Sequence, residues 1–198
     1  MTEKSVKRTS RKRAEIVKAA LELFRRYGIR RVTVEEICRN AGASKMTFYK
    51  YFTNKIEVMK TIWNDMLDEG YRKIDEYDAM DIPFREKLQK IIEYKTKIMR
   101  QWSPEFMEEI IHADPELKDF VEEMRAANIA RFMEYIKKAQ ARGDIREMRP
   151  ELLLLILDTM RDVLDNEELR KLYSDDIEFI RELNSFIFFG IMPSNGRE

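Results

Sequence analysis

The chain has 198 residues, with 37 Lys and Arg against 37 Asp and Glu, 44% apolar residues and 37% charged ones. That balance excludes a disordered polyelectrolyte, which needs few apolar residues and a large net charge. Only six Gly and five Pro occur, and straight-chain helix formers dominate, so an all-α fold is expected.

The overall neutrality hides a division. Residues 1–60 hold 16 Lys and Arg against six Asp and Glu, a net of +10, which leaves −10 for the remainder. A basic segment of this length joined to an acidic body is the footprint of polyanion binding at one end. A solvated basic face with no partner would show the same charge, so the pattern of residues has to separate the two readings.

Residues 1–13 carry Lys4, Lys7, Arg8, Arg11, Lys12 and Arg13, with Val6 as the one apolar residue after Met1. Such an arm either enters the minor groove or follows the phosphates, or it is a solubilising tail with a general electrostatic pull. From Arg13 to Tyr27 the apolar residues Ile16, Ala19, Ala20, Leu23, Phe24 and Tyr27 recur at three and four positions, which predicts a helix stopped by Gly28. Thr33 with Glu36 reads as a capping box opening a second helix, whose inward stripe is Val34, Ile37, Cys38 and Ala41. Gly42 supplies a tight turn and Ser44 caps a third helix running from Lys45 to Phe52.

Two short helices joined by a glycine turn, with a supporting helix before them, make a helix-turn-helix. Phe48 and Phe52, four apart, anchor the third helix. Lys45, Met46, Thr47, Tyr49, Lys50 and Tyr51 fall off that stripe and are the outward candidates. Lys45 can donate to guanine O6 and N7, and Met46 or Thr47 can meet a thymine methyl. Tyr49, Lys50, Tyr51 and Lys55 suit phosphates, as do Thr33 and the amides behind it.

The series Ile16, Ala19, Ala20, Leu23, Phe24, Gly28, Thr33, Ile37, Ala41, Gly42, Ser44, Phe48, Tyr49, Tyr51, Phe52 and Lys55 resembles the N-terminal domain of TetR-type transcriptional regulators. Cys38 stands where that family usually has Ala, and Ala43 where Val or Ile is common. Neither touches the outward face. The resemblance implies a homodimeric, two-domain, all-helical regulator, usually a repressor released from its operator by a small molecule. It also implies base or groove contacts at Lys45, Met46, Thr47 and Tyr49, and phosphate contacts at Thr33, Tyr49, Tyr51 and Lys55.

The expected domains are 1–57, a helix-turn-helix DNA-binding domain with the basic arm, and 58–198, a larger helical domain for effector binding and dimerisation. The stripe Met59, Ile62, Trp63, Met66, Leu67, Gly70 and Ile74 predicts a long helix after Lys55 that links the two. Further helices are expected over Pro83–Gln101, Pro104–Ala113, Pro115–Arg142, Pro150–Asn166 and Asp175–Ile191. Four of them open at proline, and the longest closes at Gly143.

The run Leu152 to Leu157 is apolar all round, as is Phe186 to Phe189. Both fit helices covered on more than one side, either centrally within one chain or by a second chain. In TetR-like proteins the last two long helices form a four-helix dimer interface.

Tyr94, Trp102, Phe106, Met124, Phe132 and Tyr135 are candidate walls of an effector cavity, the position the resemblance implies for it. Core packing uses these same residue types. His112, the only histidine, stands near Asp114, where a dipole or surface hydrogen bond accounts for it better than a ligand contact.

Neither a Cys/His dyad nor a zinc spacing nor a phosphate-binding glycine loop is present, so no enzyme, cofactor or metal is expected. The alternatives to an effector-responsive regulator are an architectural DNA-binding protein without an effector and an enzyme with a DNA-binding appendage. The single Cys38 and the absence of an apolar stretch behind the basic N-terminus place the chain in a reducing cytoplasm. The longest apolar runs fall short of the roughly 18 residues that span a bilayer, so no membrane is expected as partner. The expected partners are palindromic double-stranded DNA half-sites, a second copy of the chain and a small effector. The effector would prefer a body conformation in which the helix after Lys55 moves, changing the separation of two recognition helices that must enter grooves roughly 34–36 Å apart.

Overall fold

The computed structural model describes residues 3–111, 117–164 and 166–190, and among them every regular element is an α-helix. In chain order these are α1 (Glu3–Tyr27), α2 (Val34–Asn40), α3 (Lys45–Tyr49), α4 (Lys55–Asp78) and α5 (Phe84–Met99). They continue with α6 (Pro104–Ile111), α7 (Lys118–Arg142), α8 (Pro150–Leu164), α9 (Glu167–Arg170) and α10 (Asp176–Gly190). No helix among the described residues is long and apolar enough to cross a membrane. No group of His, Cys, Asp and Glu among them could hold a metal ion.

The chain divides into two compact units, Met1–Glu69 with Gln101–Val121, and Gly70–Arg100 with Glu122–Glu198. In the first, α1 buries Ile16, Ala19, Ala20 and Phe24, α2 buries Ile37 and Cys38, and α3 buries Phe48. Helix α1 packs on α2 and α6, and α2 packs on α3. In the second unit α5 buries Leu88, Ile91 and Ile92 beside Ile136 and Ala139 of α7, Leu153 of α8 and Ile187 of α10. A bidentate pair of Arg142 with Asp78, 2.8 Å at both contacts, joins the ends of α7 and α4.

Most differences from the expected helices lie at ends. Pro83 caps α5 rather than opening it. Helix α3 stops at Tyr49, after which the N–H groups of Tyr51 and Phe52 both return to the Phe48 carbonyl at 2.9 and 3.0 Å. Residues 112–116 and 191–198 lie outside the described residues, so the expectations for His112 and for the run beyond Gly190 fall there.

Helix α1 starts earlier than the Arg13 expected from the apolar stripe: the backbone of residues 3–10 belongs to it. No Gly or Pro interrupts this stretch, and Lys and Arg are good helix formers. Glu15 supports the start of the core-packed part by pairing with Arg11 at 3.1 Å and Lys12 at 2.6 Å.

The two all-apolar runs resolve into two faces. Leu153 and Ile187 are buried in the core of their unit, whereas Leu152, Leu155, Ile156 and Phe186 are exposed, Leu155 at 62% and Phe186 at 78%.

Phe48 has no exposed surface and fixes α3 to its unit. Replacing it with Ala should cost about 3–5 kcal/mol, read as a lowered midpoint in denaturant unfolding. Met46→Ala, two residues away but exposed, should stay within about 0.5 kcal/mol of the parent.

Candidate nucleic-acid interface

The second helix is held at its start by its own side chains. The Thr33 hydroxyl accepts the Glu36 N–H at 3.2 Å and donates to Glu36 Oε2 at 2.8 Å, while Glu36 Oε2 also accepts the Thr33 N–H at 2.8 Å. The expected capping box is therefore formed, and these bonds hold the Glu36 carboxyl below the usual carboxylate range. At its other end Lys12 of α1 donates to the carbonyls of Ala41 and Gly42 at 3.3 and 3.2 Å. Gly42 takes φ +56 there, a backbone state that favours glycine.

Ser44 caps α3, accepting the Thr47 N–H at 3.1 Å, and its hydroxyl meets the Thr47 hydroxyl at 2.9 Å. Phe48 turns inward onto Phe52, with ring centroids 5.8 Å apart, and the Arg13 guanidinium lies 5.1 Å from the Phe52 ring. The opposite face carries Lys45, Met46, Tyr49 and Lys50, all exposed. Met46 is 83% and Tyr49 56% exposed, a large apolar and an aromatic side chain on a helix too short to leave its anchors. Thr47 and Tyr51 are half-buried, and the Lys50 ammonium sits 5.9 Å from the Tyr51 ring.

Lys45 already has a partner, Glu35 of α2, with which it forms an ion pair and hydrogen bond. That bond holds the Glu35 carboxyl low and raises the Lys45 ammonium. The pair crosses from α2 to α3 on the exposed side and orients the Lys45 ammonium.

Lys55 departs from its expected phosphate role. Its ammonium donates to the carbonyls of Ile29, Arg30 and Val32 at 2.8, 2.8 and 3.0 Å, so its donors face the α1–α2 turn. Arg11, Lys12 and Arg13, expected in the basic arm, likewise meet Glu15, the α2–α3 turn carbonyls and Phe52 within their own unit.

Glu109 was not singled out in the sequence. From α6 its carboxylate accepts the Ile29 N–H at 2.6 Å and the Arg30 N–H at 3.1 Å. Nothing local marks it, because its partners lie about eighty residues earlier. Helix α6 is also fastened where Ser103 N–H donates to the Arg25 carbonyl at 2.8 Å. There the Arg25 guanidinium lies 5.5 Å from the Trp102 ring, which stacks on Phe106 at 3.9 Å.

That arrangement separates the six residues expected to wall an effector cavity. Trp102 and Phe106 are buried in the first unit, in the packing of α6 on α1. Tyr94, Met124, Phe132 and Tyr135 belong to the second. Phe132 and Tyr135 pack against its core, Tyr135 stacking on Phe84 at 6.2 Å. None of the six lines the open recess of about 530 Å³ beside Gln140, Met148 and Arg149. Helical spacing predicted the core packing; which residues share an environment depended on contacts far apart in the chain.

A short exposed helix anchored by Phe48, following a capped support helix across a glycine turn, defines a helix-turn-helix DNA-binding protein with a second helical unit. Residues 16–62 match the family model described as bacterial regulatory proteins, tetR family. That match covers 47 of the 198 residues and marks them as similar to the tetR-type helix-turn-helix segment. The chain is 26% identical over 145 residues to YfiR of Bacillus subtilis, described as an uncharacterized HTH-type transcriptional regulator, spanning 71% of each chain. It is 32% identical over 62 residues to TtgW of Pseudomonas putida, also described as an uncharacterized HTH-type transcriptional regulator, over 31% of this chain and 46% of that one. Among solved structures it is similar to the fatty acid degradation regulator FadR from Bacillus halodurans, at 19% identity and TM-score 0.63, covering 89% of this chain and 94% of that one. FadR from Bacillus subtilis in complex with stearoyl-CoA gives 18% identity and TM-score 0.62, covering 90% and 98%. At these identities the structures share the fold.

Lys55→Met should leave three turn carbonyls without their charged donor and lower stability by ~2 kcal/mol or more, measured by thermal unfolding. The depressed Glu36 carboxyl sets a pH dependence of defined sign. Its capping contribution is fully present above the ordinary carboxylate pKa and is lost as pH falls through the lowered folded value. A Glu36→Gln variant should therefore show a smaller acid-side decline in stability than the parent between neutral pH and pH ~3.

Proposed function

We propose that the exposed face of α3 reads base edges in the major groove of an operator, with Lys45, Met46 and Tyr49 as the reading residues and Thr47 at its border. Thr33, Ser44, Lys50 and Tyr51 surround that face and suit phosphate and sugar contacts. The observation that carries this reading is the exposure of Met46 and Tyr49 on a helix whose Phe48 is wholly buried. A free surface gains nothing from an exposed methionine and tyrosine side by side, whereas thymine methyls and groove walls do. Lys55 is left out of the contact set and assigned to the turn.

The chain acts in the cytoplasm as a homodimeric repressor relieved by a small effector, with residues 1–57 on the DNA and 58–198 for effector and partner, and no catalysis is assigned to it. The exposed Leu152, Leu155, Ile156 and Phe186 support dimerisation through α8 and α10, since apolar side chains of this size on neighbouring helices seek a second surface.

The effector is assigned to the second unit. The structural likeness to a regulator solved with stearoyl-CoA makes that compound the first probe.

Selection from a random duplex pool tests the DNA reading: a recovered palindrome, with preference at one base pair altered by Lys45→Ala by about 1–3 kcal/mol, is the expected result. Recovery of no sequence preference would favour an architectural protein. Leu155→Asp should convert the dimer to monomer in light scattering after size exclusion. An intact dimer would place the interface elsewhere.

A further inference from the structure

We propose that Glu109 is a positioning residue for DNA recognition, a carboxylate latch through which α6 holds the turn that sets the helix-turn-helix. The proposal rests on the DNA-binding reading above and adds a residue and a route to it.

The turn between α1 and α2 is gripped from two sides by opposite charges. Glu109 accepts the N–H groups of Ile29 and Arg30 at 2.6 and 3.1 Å. Lys55 donates to the carbonyls of Ile29, Arg30 and Val32. A peptide segment whose donors answer to one helix and whose acceptors answer to another cannot rotate without breaking charge-assisted bonds on both. Thr33, the cap of α2, follows directly, so the direction in which α2 leaves the turn, and with it α3, follows from this grip.

Gly28 makes the latch possible. It takes φ +76, and a Cβ built there would stand 2.7 Å from Glu109 Oε1, so the carboxylate fills the space a side chain would occupy. Local energetics give no reason for a glutamate at this point of α6, because an acidic group near a helix C-terminus opposes the dipole. Its reason is the pair of amides. Helix α6 follows α5 and precedes α7 in the chain, and both contribute to the second unit. Glu109 therefore adds, within the first unit, a hold on the turn separate from α4.

The experiment compares the full-length parent with Glu109→Gln on a duplex that the parent selects from a random pool, at several salt concentrations. The amide replaces one of the two accepting oxygens with a donor and removes the charge, but it keeps the side-chain volume. Binding should weaken roughly tenfold or more while the slope of affinity against salt stays unchanged, because no phosphate contact is removed. Equal affinity would overturn the proposal, as would a loss accompanied by a slope reduced by about one.

Hydrogen exchange supplies a readout that a loss of general stability would not give. In the parent, DNA should raise protection of the Ile29 and Arg30 amides and of α6, since coupling between sites is reciprocal. In Glu109→Gln the rise over α6 should vanish. Should the variant not fold, the parent decides alone: exchange in α6 indifferent to DNA refutes the latch. A parent that selects no duplex overturns the DNA-binding reading and this proposal together, whereas equal binding by parent and variant overturns the proposal alone.

Discussion

Residues 28–33 form a short loop in which five backbone groups of Ile29, Arg30 and Val32 lie outside any helical ladder, and two charged side chains take them all. The Lys55 ammonium on the carbonyls and the Glu109 carboxylate on the amides fix the loop from opposite sides. The Thr33 and Glu36 box then continues the constraint into α2, and Lys12 repeats it at the next turn by donating to Ala41 and Gly42. Helix α3 is five residues long, too short to be stable alone. It holds its place because the turns on either side are fastened and Phe48 is sealed in the core.

This changes how the basic character of the N-terminal segment is understood. Part of the +10 charge is internal scaffolding: Lys12 and Lys55 serve carbonyls, Arg13 covers Phe52, and Arg25 lies over Trp102. These groups still contribute to the long-range field that draws a polyanion, but their short-range partners are protein. The groups left on the presented face are few, and Lys45 is oriented by Glu35. Under the proposed DNA reading, attraction and base contact fall to different cations, the separation between phosphate-driven affinity and base-driven specificity in duplex recognition.

The second unit shows a related economy of apolar surface. Along α8 and α10 neighbouring residues face opposite ways, Leu153 and Ile187 inward, Leu155 and Phe186 outward. A hydrophobic run that reads as uniform is therefore two stripes, one closing the core of the unit and one left exposed.

The sequence by itself determined the helices of the DNA-binding unit, the capping box at Thr33, the Ser44 cap and the inward Phe48 and Phe52, because these depend on spacing and on partners within four residues. It also determined that Lys45, Met46, Tyr49 and Lys50 are exposed, whereas Thr47 and Tyr51, off the same anchoring stripe, are half-buried. Only the tertiary structure decided what Lys55 and Glu109 do, where Trp102 and Phe106 belong, and which half of each apolar run is covered. Those outcomes depend on groups tens of residues apart meeting in space. A lysine that binds a phosphate and one that binds three carbonyls are identical in a sequence; the difference lies in which oxygen the folded backbone brings within about 3 Å.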